Sequence, residues 1–164
     1  MEIAIDFDGT CTTHEFPKIG KDIGAIPVLK ELVNNGHKLI LFTMRADREV
    51  KGETGHPDIL DEIGLFLTDA INWFKINDIP LYGIQSNPTQ KNWTTSPKCY
   101  AQLYIDDAAL GCPLKQDYIS HPDGHYAGEP VPDGRPYVDW DKVRELLIIK
   151  NLISIYKNSK LMQN

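Results

Sequence analysis

The stretch Ile3-Ala4-Ile5-Asp6-Phe7-Asp8-Gly9-Thr10 decides the fold of this chain. A run of apolar residues that begins almost at the first position predicts a short buried strand over residues 2–7. Asp8-Gly9 predicts the turn that ends this strand. A carboxylate at the end of a buried strand is costly without a partner, so Asp6 and Asp8 indicate a binding site rather than an ordinary turn.

The rest of the chain alternates between helical and strand-like patterns. Helical spacing predicts helices over residues 27–35, 57–77 and 139–156, and apolar runs predict strands over residues 38–42, 80–85 and 100–105. Pro and Gly are frequent in residues 111–137, which predicts irregular structure there. Strands that alternate with helices need crossovers, which favours a parallel sheet covered on both faces. We therefore predict a three-layer α/β/α, Rossmann-like fold, with residues 1–164 as a single domain.

Composition narrows the class of protein. Lys plus Arg is 17 and Asp plus Glu is 23, so the formal net charge is −6, which counts against a dedicated nucleic-acid partner. The apolar runs are too short to cross a bilayer, so no membrane partner is expected. Three widely separated cysteines, no CxxC pair and no secretory signal before the first strand predict reduced thiols and a cytoplasmic location.

Chemistry-bearing side chains follow the predicted strands. In parallel sheets of this kind, ligands bind beyond the carboxyl ends of the strands. These ends carry Asp6 and Asp8 after the first strand, Thr43 after the second, and Asp106 and Asp107 after the fourth. Carboxylates that meet at one edge repel each other, and Mg²⁺ suits a site with few protein carboxylates and several waters. The sequence therefore predicts a magnesium site that also holds a phosphate group.

The remaining candidates have competing interpretations. A threonine after a strand, such as Thr43, is more often a helix cap, and Asp106-Asp107 alone could be a surface turn. Lys98, just before the fourth predicted strand, is a candidate phosphate-binding residue, but Lys75, Lys91 and Lys115 are also available. The position of Arg45, two residues after Thr43, allows it to reach a phosphate or a leaving group, or to pair with a surface acid.

Taken together, these residues resemble the haloacid dehalogenase superfamily of phosphohydrolases over residues 1–110. Its first motif, DxDGT after a hydrophobic strand, corresponds to residues 3–10. Its second motif, an apolar strand that ends in Ser or Thr, corresponds to residues 39–43, and its third, a lysine ahead of the fourth strand, to Lys98. The fourth motif, an acidic pair, corresponds to residues 103–107.

The resemblance implies a role for each residue. Asp6 is expected to be the nucleophile that forms an aspartyl-phosphate. Asp8 is expected to protonate the leaving group and then to deprotonate the attacking water. Thr43 and Lys98 are expected to hold phosphate oxygens. The implied Mg²⁺ ligands are the Asp6 carboxylate, the Asp8 carbonyl and Asp107, with Asp106 as a neighbour or co-ligand.

Members of the superfamily obtain selectivity from cap insertions, and this chain has little room for one. The segment 11–26 allows only a short flap, and the predicted helix and strand consume the residues between Thr43 and Lys98. We expect a nearly capless phosphatase with an open site. Such a site implies either a large substrate that covers it or a neighbouring subunit of a homo-oligomer that does so. The substrate class that we favour is a phosphomonoester such as a sugar phosphate, nucleotide or phosphoprotein.

Three alternatives retain the same scaffold. A phosphotransferase passes the phosphoryl group to an acceptor other than water. A receiver-type signalling domain also forms a phospho-aspartate, but it lacks a proton-transfer group at the Asp8 position. A catalytically idle binding module is expected to have lost Asp6, Asp8 or the acidic pair, and all of these are present.

Overall fold

The computed structural model describes residues 1–48, 63–120, 126–130 and 134–154. Within them the protein has a mixed α/β architecture with a parallel four-stranded sheet and three α-helices. The helices are α1 (Ala25–Asn34), α2 (Phe66–Ile76) and α3 (Trp140–Ile149). The sheet strands are β1 (Glu2–Ile5), β2 (Lys38–Leu41), β5 (Leu81–Ile84) and β6 (Leu103–Ile105). The predicted parallel α/β sheet is therefore confirmed.

The sheet has the order β5-β2-β1-β6, which places the first strand between two parallel neighbours. Ile3 of β1 lies opposite Leu39 of β2 on one side and Leu103 of β6 on the other. Ile3 and Ile5 are fully buried and Ala4 is nearly so, as expected for a central strand covered on both faces. The chain moves outward from β1 to β2 and β5 and then crosses back to β6, so the strand order reverses between β1 and β6.

The three described helices pack on the same face of the sheet. Side chains of α1, α2 and α3 share one apolar core with the strand residues that point to that face, among them Ile3, Ile5, Leu39 and Leu41. Arg144 of α3 also donates two hydrogen bonds of 2.8 Å to the carboxylate of Glu31 in α1.

The opposite face departs from the predicted three α/β/α layers. Ala4 and Ile40 are buried there, outside the helical core, and a side chain on neighbouring Gly83 would meet Ser86 and Pro88. Among the described residues, this face is covered by the irregular segment 85–102 rather than by an α-helix. The segment contains a single 3₁₀ turn, Gln90–Asn92.

Two buried amide side chains hold this irregular layer together. Gln90 donates to the carbonyls of Ser96 and Lys98 at 2.8 and 2.7 Å, and its carbonyl oxygen accepts from the Tyr100 N–H at 2.7 Å. Asn87 donates to the Tyr100 carbonyl at 3.2 Å and accepts from Thr89. Side-chain hydrogen bonds therefore satisfy backbone groups that a helix would pair internally.

The long helix predicted over residues 57–77 is shorter in the structure. Residues 57–62 lie outside the described residues, and α2 begins only at Phe66. Gly64–Leu65 forms a strand, β4, that pairs antiparallel with β3 (Asp47–Arg48). The Asp47 carboxylate accepts from the Thr68 N–H and hydroxyl at 2.9 and 2.6 Å, which caps the first turn of α2 from a distant strand. The spacing of apolar residues along a helix gives no sign of a cap that comes from a distant strand.

The other boundaries differ less. The predicted strands 80–85 and 100–105 shorten to β5 and β6. Helix α3 ends at Ile149 and Asn151 has a positive φ of 57°, so the prediction of a helix to residue 156 is wrong for residues 150–154, and residues 155–156 lie outside the described residues. Within 111–137, predicted as irregular, four short strands pair: β7 (Leu114–Lys115) with β10 (Tyr137–Val138), and β8 (Tyr118–Ser120) with β9 (Tyr126–Pro130).

Two further expectations concern membranes and thiols. No helix of the described residues has the length and apolar character that a membrane crossing needs. Cys11, Cys99 and Cys112 are all free thiols, as the sequence predicts.

The described residues contain no cap domain, and residues 49–62, between β3 and β4, lie outside them.

Candidate active site and metal centre

Three carboxylates meet where the strand order reverses. Asp6 follows β1, and Asp106 and Asp107 follow β6, its parallel neighbour. Each offers an oxygen atom, and these atoms lie within 4.8 Å of one another. The crevice between the carboxyl ends of two such strands is the usual ligand site of open α/β sheets. The structure therefore brings together three of the four carboxylates predicted from the sequence.

The ionisation of Asp6 is strongly perturbed by its surroundings. The pKa of its carboxyl is raised from 3.8 to about 7, first by burial and then by the nearby charges of Asp106 and Asp107, which together outweigh the lowering effect of hydrogen bonds from Phe7 and Thr10. Among the described residues, no lysine or arginine forms an ion pair with Asp6, Asp106 or Asp107. A cation held between the three carboxylates would supply a positive charge and favour the ionised form of Asp6.

The donor set fits the predicted magnesium ion. Carboxylate oxygens are ligands that hard divalent cations prefer, and Mg²⁺ completes its shell with water when a protein offers only a few of them. Asp6, Asp106 and Asp107 could therefore hold the ion. The carboxylate of Asp8, the fourth predicted ligand residue, is engaged elsewhere, and the sequence prediction assigned only its backbone carbonyl to the metal.

Arg45 pairs with the side chain of Asp8. Its Nε and Nη2 each lie 2.7 Å from a different Asp8 carboxylate oxygen. The guanidinium also donates to the carbonyls of Pro17 and Lys18, at 3.1 and 2.7 Å, and lies over the rings of Phe7 and Phe16. The Arg45 side chain is only 1% exposed. Arg45 thus forms a buried bidentate ion pair with an acid, which was one of its two interpretations, and its predicted contact with a phosphate stays a prediction.

Thr10 connects the two strand ends of the cluster. Its hydroxyl lies 3.2 Å from the Asp6 carboxylate and accepts from the Asp107 N–H at 3.0 Å. Thr10 is fully buried. It therefore fixes the distance between the first and fourth motifs. In the sequence, Thr10 stands out only as part of the first motif, and nothing there predicts this bridging role.

His14 is a second residue of the site that the sequence does not predict. Its Nε2 lies 3.3 Å from the Asp107 carboxylate and 3.2 Å from the Pro136 carbonyl. Both neighbours are acceptors, so Nε2 carries a proton. The signal available in the sequence was weak, because it consisted only of a histidine four residues after the first motif.

Gly9 makes room for this histidine. A side chain at position 9 would collide with the His14 ring, and the φ of Gly9, +78°, is one that other residues rarely adopt. The glycine of the first motif therefore serves both the turn and the approach of His14 to Asp107.

Thr43 is held at the end of β2 by Gln85. Gln85 accepts from the Thr43 N–H at 3.0 Å and donates to the Thr43 and Arg45 carbonyls at 2.6 and 3.0 Å. The Thr43 hydroxyl accepts from the Arg45 N–H at 3.2 Å. The residue is half-buried, in the same loop that carries Arg45 to Asp8. Its predicted contact with a phosphate oxygen stays a prediction.

Lys98 lies in the irregular layer, where its carbonyl accepts from the Gln90 side chain. It is exposed, and its ammonium lies 5.8 Å from the centre of the Tyr104 ring. No carboxylate among the described residues forms an ion pair with it. Its predicted role in phosphate binding stays a prediction.

Comparison with known proteins supports the fold. The chain matches no family model and no curated protein. It is similar to a solved structure described as "Structure of the conserved protein coded by locus from Bacteroides thetaiotaomicron". The two are 28% identical, the match covers 96% of this chain and 98% of that chain, and the TM-score is 0.58. That description names no activity, so the class defined by fold and site is an α/β protein with a carboxylate cluster at its strand-order reversal.

Proposed function

We propose that the protein is a magnesium-dependent phosphatase that hydrolyses a phosphomonoester through an aspartyl-phosphate on Asp6. The observation that carries the proposal is the meeting of Asp6, Asp106 and Asp107 within 4.8 Å at the tips of β1 and β6. The resemblance of the four motifs to haloacid dehalogenase phosphohydrolases supports the same conclusion. In such a site Mg²⁺ would neutralise phosphate charge.

The proposed reaction has two steps. An Asp6 carboxylate oxygen attacks phosphorus, the bond to the leaving-group oxygen breaks, and Asp8 gives that oxygen a proton. Asp8, now ionised, then takes a proton from the water that attacks the aspartyl-phosphate, which releases inorganic phosphate and restores Asp6. Thr43 and Lys98 bind phosphate oxygens in this scheme.

The pair between Arg45 and Asp8 places a condition on this scheme. Both Asp8 oxygens accept hydrogen bonds from Arg45, at 2.7 Å, so the structure describes Asp8 in an arrangement with no proton to donate. Proton transfer through Asp8 requires at least one of these hydrogen bonds to open when substrate binds. In the free enzyme, Arg45 holds the Asp8 carboxylate through both of its oxygens.

The test is turnover of an aryl phosphate with Mg²⁺ by the wild type and three variants. We expect Asp6→Asn and Asp8→Asn each to reduce kcat by about 10² or more, since each removes a reacting group. Asp69→Asn, an exposed carboxylate on α2, is the matched control and should retain full activity. Full activity of Asp6→Asn, with deamidation excluded by mass spectrometry, would contradict the nucleophile assignment.

A phosphotransferase or receiver-like protein is the second candidate, and the engagement of Asp8 by Arg45 favours it specifically. If the pair stays closed, the aspartyl-phosphate lacks a base for its hydrolysis and persists. Acid-quenched intact mass spectrometry after exposure to a small phosphodonor separates the two candidates. A phosphatase gives a transient adduct, whereas the second candidate gives one that lasts for minutes and passes to an added acceptor.

A further inference from the structure

His14 is a polar residue of the site that the proposed reaction leaves unused. Its Nε2 lies 3.3 Å from Oδ2 of Asp107 and 3.2 Å from the Pro136 carbonyl oxygen. The side chains of His14 and Asp107 are only 11% and 17% exposed, so little water competes with their contact. A polar contact that is shielded from water is electrostatically stronger than one at the surface.

Each carboxylate of the cluster faces a donor of its own. The Thr10 hydroxyl lies 3.2 Å from the Asp6 carboxylate. The Ala108 N–H donates to Oδ1 of Asp106 at 2.8 Å. At Asp107, the group that faces the carboxylate at 3.3 Å is the imidazole. The three side chains that could hold a cation are therefore oriented by three separate contacts.

The Thr10 hydroxyl does not replace the imidazole at Asp107. It lies 3.5 Å from Oδ1 of Asp107, and its single proton has a closer acceptor in Asp6, at 3.2 Å. Thr10 accepts instead from the Asp107 N–H at 3.0 Å, so it holds the backbone of that residue. His14 is thus the closer of the two side chains to the Asp107 carboxylate.

The His14 ring is itself held from two sides. On one side it bonds to the carbonyl of Pro136, and the nearby Val138 N–H donates to the Gly9 carbonyl at 2.8 Å. On the other side lies Gly9, where any side chain would collide with the ring. His14 therefore lies between the loop after β1 and the segment before α3, and both restrict its movement relative to Asp107.

A carboxylate that is oriented before a cation arrives binds that cation more tightly. A free aspartate side chain rotates and loses this freedom when it binds an ion, whereas a carboxylate held by a neighbour has already lost it. Residues that hold metal ligands in this way typically contribute about 10- to 100-fold to metal affinity or activity.

We propose that His14 is a positioning residue that holds the Asp107 carboxylate in the orientation that binds Mg²⁺. The inference rests on the proposed function, since it needs Mg²⁺ at the cluster of Asp6, Asp106 and Asp107. His14 acts through Asp107 and takes no part in the transfer of the phosphoryl group. Its effect therefore falls on the affinity for the ion rather than on the chemical step.

The direct test is calorimetry with Mg²⁺ alone, at pH 8 and without substrate. His14→Ala and His14→Phe both remove the donor, and the second keeps an aromatic ring in the same space. We expect each to weaken Mg²⁺ binding by about tenfold, the lower end of the range for residues that hold metal ligands. His14→Gln, whose side-chain amide is also a donor, should keep most of the wild-type affinity.

The matched control is His37→Ala. His37 Nε2 also bonds to a backbone carbonyl, that of Leu152 at 2.7 Å, but His37 precedes β2 at the amino end of the sheet. This variant should lower the Tm of the metal-free protein and leave its Mg²⁺ affinity unchanged. Wild-type affinity in both His14→Ala and His14→Phe overturns the proposal, and so does an equal loss of affinity in His37→Ala.

Turnover of an aryl phosphate separates this inference from the proposed function. We expect His14→Ala to raise the Mg²⁺ concentration that gives half-maximal rate by about tenfold, with kcat at saturating Mg²⁺ near that of the wild type. Weaker Mg²⁺ binding by His14→Ala, in a protein whose wild type turns over no ester, supports the positioning role and contradicts the phosphatase function. Unchanged Mg²⁺ binding by His14→Ala, in an active enzyme, retains the phosphatase function and overturns the positioning role. A wild type that binds no Mg²⁺ contradicts both.

Discussion

At Asp6, burial and the like charges of neighbouring carboxylates both raise the pKa of the carboxyl group. Its pKa is raised from 3.8 to about 7, first by burial and then by Asp106 and Asp107. Because the folded protein binds this proton more tightly than the unfolded chain, ionised Asp6 lowers stability. The loss develops as the pH rises from about 4 through about 7.

This linkage gives a prediction for the metal-free protein. In EDTA, Asp6→Asn should raise the melting temperature at pH 8 by several degrees and should change it little at pH 4, where Asp6 is protonated in the folded protein. The measurement is the difference in Tm between wild type and variant across this range. The same difference at both pH values would contradict the assignment, and Asp69→Asn serves as the exposed control.

Arg45 and Asp8 form the second residue-scale feature. The pair has two hydrogen bonds of 2.7 Å, and its arginine is nearly fully buried. We expect a double-mutant cycle of Asp8→Asn and Arg45→Lys to give a coupling free energy of about 1–3 kcal/mol in urea denaturation. Lysine keeps the charge but loses the bidentate geometry. Additive effects, within about 0.5 kcal/mol, would show that the two side chains act separately.

At the scale of elements, the start of α3 supports the loop that follows β1. The buried Trp140 donates from Nε1 to the Thr10 carbonyl at 2.7 Å, and the Val138 N–H donates to the Gly9 carbonyl at 2.8 Å. The first motif is therefore held from the other end of the described chain. Its geometry depends on α3 as well as on β1.

Trp140→Phe tests this support, because it keeps an aromatic ring but removes the Nε1 donor. We expect a loss of about 1–3 kcal/mol in the free energy of unfolding, since the Thr10 carbonyl is left without this partner, and a several-fold fall in kcat. Leu147→Ala, in the same helix, is the control: it should cost about 2–5 kcal/mol through a cavity but leave the kcat of the folded protein unchanged. Equal effects on kcat would contradict a local role for Trp140.

Elements differ in how far the sequence specifies them. The continuous apolar run of β1 predicts its burial, and the strand-end rule predicts that Asp6, Asp106 and Asp107 meet. The start of α2 could not be predicted, because it depends on β3 pairing with β4 and on Asp47 capping Thr68. Contacts of His14 with Asp107 and of Arg45 with Asp8 are also long-range, and no local pattern specifies them.

For the whole molecule, sheet order determines where the site lies and what should stabilise it. Asp6 and Asp107 come close only when β1 and β6 pair, so an ion that binds both should stabilise the folded state and not the unfolded chain. At pH 8, millimolar Mg²⁺ should raise the melting temperature of the wild type by several degrees and that of Asp107→Asn by much less. A shift of equal size in both proteins would locate the ion elsewhere, and EDTA should reverse any specific shift.

The irregular layer 85–102 has a further consequence for motion. Its backbone is held by the side chains of Asn87 and Gln90 and by a few backbone hydrogen bonds around its 3₁₀ turn, whereas the opposite face is held by helical hydrogen-bond ladders and a continuous apolar core. Segments with fewer such supports open at lower free energy. Amide hydrogens of this layer should therefore exchange with deuterated solvent sooner than those of β1. The layer can then open locally while the sheet beneath it stays folded.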